Sequence, residues 1–329
     1  MTSRLRLLTL TGALLLSALL ISCSPVAQQA GPDSPGASLT DTYLQSFDGT
    51  RLPVRVWPAE ETPTAVIIAV HGFNDYSNSY SFPASWWAQQ GLTTIAYDQR
   101  GFGEAPNFGI WPGQELLIRD LMTMVIQVRA RYPGMPVYLV GESMGGAVLM
   151  TAVTAEDFPA VDGIILSAPA VWGWQSMNIF YDAILWTAAH TVPTMKLTGE
   201  GLGIQASDNI SMLQNLGADP LFIKETRIDS IYGLVNLMDN AYDAADALTP
   251  PILLLYGAND QLVPKEPVED MAERLPEGAD IVLYPNGWHM LMRDLEAPIV
   301  WQDIASWIKT REIPSGDKVS ALPLFKDAP

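Results

Sequence analysis

The chain has 329 residues and a formal net charge of −18, with 48% hydrophobic and 16% charged residues. That balance excludes a disordered chain and implies a buried globular core, at a length that suits one α/β unit. The acidic surplus excludes nucleic acid or an anionic bilayer as an electrostatic partner.

In chain order the first feature is an address. Arg4 and Arg6 precede the apolar run 7–20, which is short for a spanning helix of roughly 20 residues and suits a secretory signal. Leu20, Ile21, Ser22 and Cys23 then resemble the bacterial lipobox, where the signal is cut before a cysteine that receives lipid. The expectation is a signal peptide over 1–22 and membrane attachment through lipidated Cys23 in the cell envelope. In a Gram-negative cell, Ser24 would direct it to the periplasmic face of the outer membrane. Cys23 is the only cysteine, so no intramolecular disulfide forms. Residues 23–41, rich in Pro, Gly, Ser, Ala and Gln, read as a flexible tether.

Residues 42–47 and 52–57 read as two strands joined by a turn at Asp48 and Gly49. The continuous apolar run 65–70 has the pattern of a central strand covered on both faces. A helix over 79–90 stops at Gly91, a strand follows over 92–97, then a helix over 113–131 and a strand over 137–140. Further strands are expected at 163–167, 252–256 and 280–284, with helices at 266–274 and 297–310. Strands alternating with helices imply a mostly parallel sheet with helices on both faces and the opening pair antiparallel at one edge. The alternation fails over 170–247, which holds many Trp, Met, Leu and Ile residues and no convincing strand. This segment reads as a helical cap inserted between core segments 42–169 and 248–311, above the sheet's C-terminal edge. Residues 312–329 read as a flexible tail.

The chemistry centres on Gly141-Glu142-Ser143-Met144-Gly145. Strand, G-x-S-x-G and helix together form the context of a nucleophile elbow, with Ser143 exposed at the turn. A serine hydroxyl needs a base, and the base needs a carboxylate that fixes its tautomer. In the α/β-hydrolase order these follow as serine, acid, histidine. Of three histidines only His289 lies after a suitable acid, and Asp260, in the loop after strand 252–256, is that acid. Asp294 lies beyond His289 and Asp246 precedes the strand, so both are worse placed. The developing oxyanion needs N–H donors, assigned to the backbones of Met144 and Phe73. His71 is expected to shape the Phe73 loop. The dispersed histidines show no metal-ligand spacing, so neither a metal nor an organic cofactor is expected.

These motifs, with Tyr97-Asp98-Gln99-Arg100-Gly101-Phe102-Gly103, resemble the monoacylglycerol lipase and lysophospholipase branch of the α/β-hydrolases over about 42–310. The resemblance implies an α/β-hydrolase fold with a cap, Ser143, Asp260 and His289 as triad, and Phe73 and Met144 as oxyanion donors. Asp98 and Arg100 would be structural. Two departures stand out: Glu142 occupies a position where many monoacylglycerol lipases carry histidine, and Asn74 and Asp75 replace a glycine region of the oxyanion loop. The apolar cap stretch suggests Trp172, Trp174 and Phe180 as substrate-binding residues. The expected partner is a small lipid or other ester, monoacylglycerol or lysophospholipid foremost. An amidase or peptidase on the same triad and a non-catalytic lipid-binding lipoprotein are the alternatives. A dehalogenase or epoxide hydrolase would carry aspartate at position 143.

Overall fold

A computed structural model of the protein describes residues 24–201, 203–249 and 251–315; the signal segment and Cys23 lie outside these. Strands β1 (Ser38–Leu39), β2 (Tyr43–Gln45) and β3 (Arg51–Trp57) open the fold, followed by β4 (Ala65–Val70), α1 (Ser81–Gln89) and β5 (Leu92–Tyr97). Next come α2 (Gln114–Arg131), β6 (Val137–Glu142), α3 (Met144–Val153) and β7 (Gly163–Ser167). The segment after β7 holds α4 (Ile179–Ala189), β8 (Lys196–Thr198), α5 (Ile210–Ala218), β9 (Glu225–Arg227) and α6 (Ile228–Asp243). The chain returns to the sheet through β10 (Ile252–Gly257), α7 (Lys265–Glu273), β11 (Asp280–Tyr284) and α8 (Ala297–Thr310).

The main sheet runs β1-β2-β3-β5-β4-β6-β7-β10-β11. From β5 to β11 every pairing is parallel, while β1, β2 and β3 join antiparallel at one edge. The expected mostly parallel sheet with an antiparallel opening pair is therefore observed. β4 shows why a continuous apolar run suits its centre: Val66, Ile68 and Val70 enter one buried cluster, and Ala65, Ile67 and Ala69 enter the other. With a side-chain period of two and helices on both faces, each strand residue meets core.

Three expectations are corrected. Residues 24–41 are a docked strap rather than a free tether. Gln28 exchanges bonds with the 101–111 loop (N–H to Trp111 O, 2.9 Å; Nε2 to Ile110 O, 2.7 Å). Ser34 N–H donates to Phe47 O at 2.7 Å, and β1 pairs with β2. Backbone groups of an extended segment need partners, and here the folded body supplies them. Second, the segment 170–247 does contain strands: β8 and β9 form an antiparallel ribbon. Three exposed or half-exposed residues each are too few to show an alternating pattern. Third, the tail begins attached, with Ile313 buried and Ser315 N–H donating to Asp303 Oδ1 at 3.0 Å; residues 316–329 lie outside those described.

α3 approaches β4 so closely that a Cβ on Gly145 would overlap the carbonyl oxygen of Val70. Gly145→Ala is expected to lower the free energy of unfolding by about 1–3 kcal/mol, read as a shifted midpoint in urea denaturation at unchanged slope.

Candidate active site

Four parallel strands deliver the site from their C-terminal ends. β6 ends directly before Ser143, whose backbone sits at φ 53° and ψ −116°. Three bonds pin that turn: Ser143 N–H to Ser167 O at 2.9 Å, Ala147 N–H to Ser143 O at 3.2 Å and Ala170 N–H to Ser143 O at 3.0 Å. The turn makes Met144 the first residue of α3. Its N–H therefore belongs to the helix-terminal donors that lack intrahelical partners.

β10 and β11 carry Asp260 and His289 in their following loops. These loops are stitched together by Ala258 N–H to Tyr284 O at 3.0 Å and Asn259 N–H to Gly287 O at 2.9 Å. A Cβ on Gly257 would collide with the Gly287 and Trp288 backbone, so the close approach requires glycine. Asp260 Oδ1 accepts from the N–H groups of Leu262 (2.8 Å) and Val263 (3.0 Å). Oδ2 accepts from His289 Nδ1 at 2.7 Å, with both side chains buried. The imidazole therefore holds its proton on Nδ1 and presents Nε2 as the basic atom. Burial opposes protonation of His289, but the Asp260 carboxylate outweighs it, and the net direction of its pKa is upward.

The rival acids serve elsewhere. Asp246 is exposed and pairs with Arg274 at 3.1 Å. Asp294 accepts from Trp288 N–H (2.8 Å) and Ser207 Oγ (2.6 Å), holding the loop that carries His289. Burial pushes its carboxyl up to about 6. The other histidines are also committed. His71 Nδ1 donates to Gly72 O at 2.8 Å while Nε2 accepts from Gln99 N–H at 3.0 Å. Burial moves its pKa down, so it is a neutral brace for the Phe73 loop. His190 stacks on Trp186 at 4.2 Å. Arg100 is chelated by Asp48 and Asp120 and Asp98 holds the Ser77 and Glu104 backbones, and neither lines the cavity onto which Ser143 opens.

Ser143 and His289 open onto one cavity of about 560 Å³, which Phe73 and Trp172 also line. Leu213, Leu234, Met238 and Met290 supply an apolar wall. Trp174 and Phe180 are not there, which corrects their assignment as substrate-binding residues. Trp174 packs against Tyr232 at 5.5 Å and donates to Asn236 Oδ1 at 2.7 Å, in a separate surface cavity. Phe180 is 75% exposed on α4. Composition marked the segment as apolar without revealing which way each residue faces.

Sequence reasoning missed Arg293. Its buried guanidinium lies 2.7 Å from both Asp75 Oδ2 and Glu142 Oε1, at the polar end of the same cavity. Glu142 and Asp75, one residue from each of the departures noted in the sequence, are thus paired with one cation, while Asn74 Nδ2 donates to Thr226 Oγ1 at 2.7 Å. An arginine four residues beyond His289 was the available signal, but its partners are remote in sequence.

The sheet order and the elbow between β6 and α3 define an α/β-hydrolase. The chain belongs to the family described as serine aminopeptidase, S33, whose model matches residues 61–296. It is 25% identical over 273 residues to a monoacylglycerol lipase of Mycolicibacterium smegmatis, covering 79% of this chain and 93% of that one. A monoglyceride lipase of Rattus norvegicus is 28% identical over 279 residues, covering 82% and 90%. Among solved structures, a soluble variant of the monoglyceride lipase from Saccharomyces cerevisiae, in complex with a substrate analog, superposes with a TM-score of 0.71. It is 18% identical and covers 86% of this chain and 99% of that one.

The upward direction at His289 predicts an imidazole that titrates above its ordinary 6.5. Asp260→Asn removes the carboxylate and leaves burial dominant, so the titration should move below 6.5. Histidine ring NMR across a pH series measures both; an Asp260→Asn protein titrating where the unaltered one does would refute the assignment.

Proposed function

We propose that the protein is a serine hydrolase of carboxylic esters, with single-chain lipid esters such as monoacylglycerol or lysophospholipid as its substrate class. The observation that carries this reading is that His289, held by Asp260 at 2.7 Å, opens onto the same cavity as Ser143. Ser143 Oγ attacks the ester carbonyl carbon as His289 Nε2 takes its proton, and Asp260 stabilises the resulting imidazolium. The N–H groups of Phe73 and Met144 receive the developing oxyanion. His289 returns the proton to the leaving alcohol, and a water activated by the same imidazole then frees the acyl group from Ser143.

The cavity's chemistry supports an amphipathic ester. Its apolar wall suits an acyl chain, and its Asp75–Glu142–Arg293 end adjoins a second cavity of about 280 Å³ with Tyr76, Asn78 and Asn209 in its lining. The relatives named monoacylglycerol and monoglyceride lipase support the same class. The family description favours weighing aminopeptidase activity as well. Such an enzyme must recognise a free α-amine with an anion, yet Arg293 lies on both carboxylates that line the Ser143 cavity. Ester cleavage is therefore the stronger reading. We also read Cys23 as the site of lipid attachment, which would place the enzyme in the cell envelope.

Ser143→Ala should reduce turnover of a p-nitrophenyl acyl ester by about a thousandfold or more and abolish labelling by a fluorophosphonate. Comparable turnover of amino-acid anilides and acyl esters by the unaltered protein would instead favour the peptidase reading. Separately, Cys23→Ser should move the protein from the membrane fraction to the soluble fraction of cells; unchanged fractionation would rule out the lipid anchor.

A further inference from the structure

Asn74 follows the proposed oxyanion donor Phe73 and holds a left-handed backbone, with φ 65°. Glycine enters that region freely and asparagine only at some cost, and the monoacylglycerol lipase branch has a glycine region at this point of the loop. The backbone therefore does not call for the side chain, which has another use. Its Nδ2 donates to Thr226 Oγ1 at 2.7 Å, while the Asn74 carbonyl accepts from Ile223 N–H at 2.9 Å. One residue of the oxyanion loop is thus held twice by the inserted segment 170–247.

These bonds reach Phe73 through two peptide planes. A trans peptide is rigid, so its C=O and the following N–H point in opposite directions as one unit. Ile223 fixes the Asn74 carbonyl, and the N–H of that same peptide, Asp75 N–H, donates to Gly72 O at 3.3 Å. Gly72 O in turn shares its peptide with Phe73 N–H, which donates to no acceptor among the described residues. Thr226 is a firm attachment point for this relay. It is the middle residue of β9, paired with Leu197 of β8, and β9 runs directly into α6. Leu234 and Leu237 of α6 share a buried cluster with Met144, Ala147 and Val148 of α3. The helix that begins with the other proposed donor, Met144, is therefore the reference for both.

We propose that Asn74 is a positioning residue for the hydrolysis: bonded to Thr226 and Ile223, it aims Phe73 N–H at the oxyanion that forms when Ser143 attacks. This rests on the proposed hydrolase reading. The inserted segment then does more than wall the cavity, because the second oxyanion donor is in register only while β9 is seated against the loop. A donor that meets charge developed in the transition state acts on kcat rather than on substrate binding.

The test removes each half of the side-chain bond. Thr226→Val keeps the β-branched shape that suits a strand and loses the oxygen; Asn74→Gly keeps access to the left-handed backbone. With p-nitrophenyl acetate, whose acyl group is too short to depend on the apolar wall, each should lower kcat about tenfold and leave KM within about twofold. Affinity for a short alkyl trifluoromethyl ketone, whose adduct with Ser143 carries the oxyanion, should weaken by a similar factor. The double variant should be no slower than either single one, since both remove the same bond. Thr226→Ser returns the oxygen and should return the rate. Amide exchange over residues 72–76 should quicken in Thr226→Val while β4 keeps its protection. A Thr226→Val kcat within about twofold of the unaltered chain's overturns the proposal. So does a loss confined to KM with ketone affinity unchanged, as a merely displaced cap would give, and so do single losses that multiply in the double variant. Exchange needs no turnover: unchanged protection of 72–76 overturns the anchoring whatever the activity. An unaltered chain that cleaves no ester and takes no fluorophosphonate would count against the hydrolase reading alone.

Discussion

The backbone of Ser143 is held in a conformation that costs a residue with a side chain about 1–3 kcal/mol. Nothing local stabilises it; the surrounding sheet does. Its N–H is bonded to β7, its carbonyl to both α3 and the segment after β7, and α3 is drawn against β4 by the absence of a side chain on Gly145. The consequence is geometric. The same turn that lifts the hydroxyl into the cavity makes Met144 the start of a helix, so nucleophile and one oxyanion donor share a single constraint. Every other site group is positioned relative to that turn by a neighbouring parallel strand.

Charge within the site is arranged around a second constraint, the buried Arg293. Burying a guanidinium and two carboxylates carries a desolvation cost that their mutual attraction offsets only with good geometry. Here one cation reaches the oxyanion loop through Asp75 and the elbow through Glu142, from the loop that also bears His289. Three loops are thereby tied at one point. The arrangement also bears on the base, because Glu142 raises and Arg293 lowers the His289 pKa. With Arg293 present, Asp260 is the principal charge that sets the imidazole's basicity.

The fold was legible because its signals are local. The run 65–70 is apolar at every position, 92–97 departs from that only at Thr93 and Thr94, and the glycines of the elbow fall within six residues of one another. The histidine–aspartate pair was recoverable by elimination, since three histidines leave few choices and strand ends fix where a loop emerges. What was not legible depends on contacts between distant segments. The Arg293 bridge joins residues 75, 142 and 293. The strap at 24–41 has the composition of a linker, yet its polar backbone is satisfied by loops around residues 47 and 110. Facing directions in the segment 170–247 were hidden because Trp172 and Trp174 lie in the irregular stretch before α4, and α4 itself is apolar on several sides, so no period separates Trp172 from Trp174 or Phe180.

The strap changes what an attachment at the N-terminus would mean for the enzyme. A flexible linker would let the body turn freely above a membrane, and the cavity would face lipid only part of the time. A segment bonded to the body from Val26 onward removes that freedom. It also reaches the catalytic end of the molecule. Gln28 holds the loop bearing Trp111, and Trp111 packs edge-on against Phe73 (6.2 Å between ring centroids) and against Gly233 of α6. The residue proposed as an oxyanion donor, the first turns of α6 and the chain's point of entry thus form one packed unit. Orientation at a surface and order in the Phe73 loop would then be secured by the same contacts.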